Sequence, residues 1–99
     1  MIIVIGHVIA STETVAEILE LGRAHSARSR GEPGCIAHNV HVDAEDAVRV
    51  VFVEYWADRA ALEAHFRVPE SRAFVKAVRA LSPAPTVMKL FEAAEIRMG

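Results

Sequence analysis

The chain opens on Ile2–Ala10, a β-branched run that is apolar on both alternating faces. Ile3, Ile5 and Ile9 lie on one face, and Ile2, Val4 and Val8 on the other. That pattern predicts a strand covered on two sides. Ser11 and Thr12 then offer N-caps, and Glu13 and Glu17 suit the positive end of a helix. Val15, Ile18, Leu19 and Gly22 recur at helical spacing, so the helix is predicted to run to about Ser29. Arg28 and Arg30 favour its negative end, and Gly31 with Pro33-Gly34 stops it.

Cys35–Asp43 and Val48–Trp56 are the next two predicted strands. No Asn-Gly type of turn separates them, so Ala44–Ala47 is expected to form a longer hairpin loop. Asp58 caps a short predicted helix, Arg59–Phe66, which breaks near Val68-Pro69. Pro69 suits a first helical position, and Phe74, Ala77, Val78 and Leu81 carry the stripe of a helix from about Glu70. Pro83 and Pro85 end it. Thr86–Ala93 reads as a last strand, and Glu95–Gly99 as a polar tail expected to fray.

The order β-α-β-β-α-β is the split-βαβ, ferredoxin-like pattern of an α+β protein: a four-stranded antiparallel sheet with its helices on one face. The third strand contradicts a wet opposite face. It carries Val48, Val50 and Phe52 on one side and Val51, Val53 and Tyr55 on the other. A sheet apolar on both sides needs a second cover, and sheet-to-sheet packing of a homodimer is the simplest one.

Composition adds to this picture. Ninety-nine residues, 53% of them hydrophobic and only 6% aromatic, fit one domain over residues 1–99 with more aliphatic surface than its core needs. A net charge of −2 favours neither nucleic acid nor an anionic membrane as partner. Arg23, Arg28 and Arg30, ringed by Glu17, Glu20 and Glu32, read as a solvated helix face. The single cysteine, Cys35, reads as a small core residue in a reducing compartment. The apolar Met1–Ile5 run is too short for a signal or a membrane span. A soluble, cytoplasmic protein is expected.

Few residues suggest chemistry. His38 and His41 are three apart on a strand and so point to opposite faces, and no other ligand set has metal-site spacing. No metal is expected. His65 sits on a short, mostly apolar helix near the end of the third strand. It reads either as a core histidine satisfied by a carbonyl or as a pocket base and hydrogen-bond donor. Trp56 reads as core, but its indole N–H wants a partner. Glu54 shares a strand face with Phe52 and Trp56, where it would pair with Lys89 or an arginine or else stay protonated. His7 interrupts an aliphatic strand, so it should meet a polar partner or a cavity.

Glu32-Pro33-Gly34-Cys35, Glu54-Tyr55-Trp56-Ala57-Asp58 and Ala61-Leu62-Glu63-Ala64-His65-Phe66, with Pro69 and Phe74 behind them, resemble the antibiotic-biosynthesis monooxygenase family, including its small quinol monooxygenases. The resemblance implies a dimeric α+β barrel with a pocket in each subunit. It implies oxidation of a quinol, phenol or anthrone by O2 without metal or flavin, so no cofactor is expected beyond O2 as co-substrate. It makes His65 and Trp56 the catalytic candidates, and His7, His38, Glu54, Phe66 and Phe74 the substrate-binding ones. The chain departs from the family at Glu70, where a histidine is common, and at His38, where an aromatic is common. Relatives that degrade haem carry their axial histidine where this chain has Val75, which argues against that activity. A non-catalytic binding or regulatory dimer, or an isomerase or cyclase on the same barrel, are the alternative readings.

Overall fold

The computed structural model describes residues 1–99. Seven elements follow in order: β1 (Ile2–Ile9), α1 (Val15–Ser29), β2 (Cys35–Asp43), β3 (Asp46–Trp56), α2 (Arg59–Arg67), α3 (Pro69–Leu81) and β4 (Val87–Glu92). The strands form one antiparallel sheet in the order β2-β3-β1-β4. This is the expected ferredoxin-like arrangement, with the second helical limb divided in two. The divide falls at Val68, whose extended backbone (ψ 126°) ends α2 and precedes Pro69 at the start of α3. A residue before proline is pushed out of the helical region, so this break is written into the sequence.

Two details differ from the sequence expectations. The β2–β3 connection is tight, not long: Asp43 pairs with Asp46 across Ala44-Glu45. No residue there takes positive φ; instead Asp43 Oδ1 accepts the Glu45 N–H at 2.9 Å and a register shift at Val42/Asp43 absorbs the misfit. Helix α1 also begins later than the Ser11 and Thr12 caps suggested. The Ser11 N–H and hydroxyl both engage Thr14 Oγ1, at 2.9 and 3.0 Å, so residues 12–14 form a turn and Thr14 becomes the cap.

The helices cover one sheet face, and the core there is split. Val8, Ala10, Ile18, Val50, Phe52 and Val78 make one cluster; Ile2, Val4, Trp56 and Leu62 make the other. Along β3 the residue between Phe52 and Trp56 on that face is Glu54, so a polar seam divides the two apolar clusters. On the opposite face Ile5, Tyr55, Val87 and Phe91 are exposed, and β4 is exposed along its whole length. The second face is therefore as apolar as the sequence indicated. No helix is long and apolar enough to cross a membrane.

Candidate functional site

Two glycines bring the seam together. A Cβ on Gly22 would lie 3.0 Å from Phe52 and 3.2 Å from Val40, so α1 presses close on the sheet one turn before His25 and Ser26. Gly34 has φ +82°, and a Cβ there would meet Ala61 at 2.5 Å. Only glycine fits this turn, which bonds the Gly34 carbonyl to the Ala57 N–H at 2.8 Å and lays Glu32 beside α2.

Within the seam, His38 on β2 lies directly opposite Glu54 on β3. His25 comes from α1 and His65 from α2. All four side chains are buried, and one ring nitrogen from each histidine lies within 4.8 Å of the other two. His65 Nδ1 is 3.0 Å from Glu32 Oε1. A carboxylate only accepts, so that nitrogen carries a hydrogen, and in the neutral imidazole the lone pair is then on Nε2. Arg28 fixes the outer wall, donating to Glu32 Oε2 at 3.0 Å, to Ser71 Oγ at 3.2 Å and to His25 Nδ1 at 2.7 Å. Because a guanidinium only donates, His25 holds its hydrogen on Nε2.

Trp56 donates its indole N–H to Glu54 Oε1 at 2.9 Å. His38 Nε2 stands 3.4 Å from the same oxygen and His65 Nε2 4.0 Å. Burial alone would raise the Glu54 pKa, but the neighbouring His38, the Trp56 N–H and His65 outweigh it and hold the carboxyl below its ordinary value. His25 is driven the other way for a base. Burial first, then His38, His65 and Arg28, lower it to about 3, so it is a neutral imidazole. Its ring stacks on Phe74 at 4.0 Å and an interplanar angle of 3°.

A cavity of about 610 Å³ opens against this seam, with His25, Glu54, His65, Phe66 and Phe74 among its walls. It lies between α2 and α3 and the β1–β4 side of the sheet, and it is large enough for a small ring compound.

The sequence candidates are distributed unevenly. His65, Glu54, Phe66 and Phe74 line the cavity. Trp56 does not line it: the ring is completely buried, tilted against His65 at 4.6 Å, and touches the site through Glu54 and His65. His38 is likewise fully buried behind the wall. His7 is itself part of the cavity wall, beside Gly6 and Val8 on β1, although strand alternation directs its imidazole toward Arg49, which Nδ1 meets at 3.3 Å. Glu54 pairs with neither Lys89 nor an arginine; Lys89 sits opposite Ile5, on the far face.

The arginine cluster also corrects the sequence reading. Arg23 is solvated beside Glu20, but Arg28 turns inward and Arg30 donates to the His38 carbonyl at 2.7 Å. His25, Ser26, Arg28 and Ser71 were not singled out as site residues. The helical spacing of Gly22, His25, Ser26 and Ser29, all buried, was the available signal. Cys35 is half-buried, and burial with Glu54 and Glu32 raises its thiol pKa, which disfavours the thiolate.

Solved structures share this architecture. An antibiotic biosynthesis monooxygenase is 30% identical, with a TM-score of 0.87 over 96% of this chain and 100% of its own. A putative antibiotic biosynthesis monooxygenase from Deinococcus radiodurans is 26% identical, with a TM-score of 0.93 over the full length of both chains. An uncharacterised Synechocystis protein is 32% identical over 94 residues; this chain spans 64% of that relative's length. The profile of the antibiotic biosynthesis monooxygenases matches residues 1–77, which contain the whole buried seam. With sequence and overall architecture in agreement, the chain belongs to the antibiotic biosynthesis monooxygenase family.

Proposed function

We propose that this protein is a homodimeric monooxygenase that oxidises a small quinol, phenol or anthrone with O2, using no added cofactor. The observation that carries this reading is the Glu32–His65 pair at the cavity wall. Glu32 holds Nδ1–H, which leaves the Nε2 lone pair of His65 free to take a proton. Ground-state O2 is a triplet and reacts poorly with closed-shell molecules, so the substrate must give up an electron. Removing its hydroxyl proton makes that easier. For an anthrone the balance is R2CH2 + O2 → R2CO + H2O, with all electrons supplied by the substrate.

The chain's own groups match these needs. His65 Nε2 accepts the proton, and the neutral His25 offers Nε2–H as a donor to the substrate oxygen anion. Phe66 and Phe74 hold the ring, and Trp56 keeps His65 and Glu54 in register. The exposed apolar sheet face supports the dimer. A cytoplasmic setting fits the lone thiol.

Oxygen uptake with a panel of hydroquinones and anthrones tests the reading. His65→Ala should lower kcat by about 10²- to 10⁴-fold. Product without uptake would instead support an isomerase or cyclase. Ligand-dependent thermal stabilisation without turnover would support a binding dimer.

A further inference from the structure

The oxidation uses His65 and His25 but gives His38 no work, and His38 carries an anomaly. Its Nδ1 meets Ser26 Oγ at 2.8 Å, while Nε2 is buried without a hydrogen-bond partner. That nitrogen stands 3.4 Å from Glu54 Oε1. His65 follows the same plan, with Nδ1 on Glu32 at 3.0 Å and Nε2 turned to the same oxygen at 4.0 Å. Two imidazoles thus have their outer nitrogens tied to oxygen atoms and their inner nitrogens converging on one carboxylate. Metal-binding histidines are oriented in this way by their outer nitrogens. Two donor atoms each about 2.1 Å from an ion lie roughly 3 to 3.4 Å apart, so small shifts would let an ion sit among the three. Charge also favours a cation here: Glu32 and Glu54 both border the seam, and the one arginine paired with either is Arg28, at Glu32.

His25 is near enough to complete a three-histidine set, but its lone pair is already taken by Arg28 at 2.7 Å. That hydrogen bond leaves His25 no lone pair for an ion, because a guanidinium cannot accept. We propose that His38 Nε2, His65 Nε2 and Glu54 form a two-histidine, one-carboxylate site for a divalent transition-metal ion. Glu54 and His65 line the cavity, so the remaining coordination positions open into it, and the His25 N–H stands by to bond an oxygen ligand there. A bound ion takes the lone pair that the oxidation needs, so ion and substrate proton exclude each other at His65. The site stands whether or not the protein turns over.

Titration of the chelator-stripped full-length protein with Co2+ tests this without any substrate. One Co2+ per chain with visible d–d absorption bands, displaced by Zn2+, is expected. His38→Ala and His65→Ala should each abolish the bands and weaken binding by more than about 100-fold. Ser26→Ala should weaken it by roughly 10-fold and keep the bands. His25→Gln should leave binding intact. Absence of stoichiometric uptake, bands that survive His38→Ala, or bands lost in His25→Gln would each overturn the assignment. Should either alanine variant fail to fold by circular dichroism, the wild-type spectrum and Ser26→Ala decide the matter. Oxygen uptake measured with and without Zn2+ separates this from the oxidation: Zn2+ binding without any uptake sinks only the latter.

Discussion

Trp56 donates its indole N–H to Glu54 Oε1 at 2.9 Å, two residues away on the same face of β3, and both side chains are buried. A strand places residues i and i+2 side by side, so this bond costs little conformational entropy to form. It keeps a carboxylate inside an apolar core and fixes the oxygen that both His38 and His65 approach.

Trp56→Phe keeps much of the packing and removes the donor. Loss of a hydrogen bond to a buried charged group should cost about 1.5–3 kcal/mol, or a drop in Tm of roughly 6–20 °C for a domain of this size. Thermal unfolding of Trp56→Phe, Glu54→Gln and the double variant checks the pairing. Coupling of at least about 0.5 kcal/mol is expected, and strictly additive losses would show that the two side chains do not depend on each other.

Glu32→Gln keeps volume but replaces the acceptor at His65 Nδ1 with an amide that can turn either way. The imidazole then no longer holds one tautomer, and Arg28 loses its charge partner. A fall in kcat of about 10-fold or more with KM little changed is expected, because the loss lies in the proton step and not in ring binding. A KM effect alone would move Glu32 from orienting the base to shaping the cavity.

Much of this architecture was legible from the chain. The β-branched runs, Asp58, Pro69 and Gly34 each act locally, through capping, dihedral restriction or strand alternation, so they could be read before any contact was known. The seam was only half visible. Glu54, Trp56 and His65 stood out because a polar group in an apolar stretch is conspicuous. His25 and Arg28 did not, since a histidine and an arginine on a mixed helix look solvated until Gly22 is seen to press that helix onto Phe52. His7 was harder to place: its strand is apolar on both sides, and periodicity alone cannot say which side holds the cavity.

Acid should destabilise the metal-free protein. His25 has a folded value of about 3 against about 6.5 unfolded. The unfolded chain therefore binds more protons between these limits, and stability is full above about pH 6.5 and lost as pH falls toward 3. Glu54, depressed in the fold, acts in the same direction below its ordinary value of 4.5. The His25 slope has a ceiling of about 1.4 kcal/mol per pH unit, reduced by solvent screening. Urea midpoints in EDTA between pH 7.5 and 4.5 measure it. His25→Phe should flatten the curve, and an unchanged slope would assign the acid sensitivity to other groups.

The open sheet face makes the last prediction. Tyr55, Ile3 and Phe91 lie in one row across β3, β1 and β4, because Ile3 pairs with Tyr55 on one side and with Phe91 on the other. Tyr55 and Phe91 are 37% and 47% exposed, and the next row places Val53 and Lys89 beside Ile5. Isolated exposed apolar residues are ordinary, but an aligned aromatic and aliphatic row on a twisted sheet is what a second sheet packs against. Phe91→Glu puts a carboxylate in that row. Two copies brought together would bury two like charges, a cost of several kcal/mol that a small interface cannot absorb. Sedimentation at micromolar concentration should show wild type as a dimer and Phe91→Glu as a monomer. The Glu54–Trp56 bond lies on the other face and should persist, so the variant's near-ultraviolet circular dichroism should keep the buried tryptophan signal. A wild-type monomer at that concentration would remove the dimer from the proposed function while leaving the buried seam untouched.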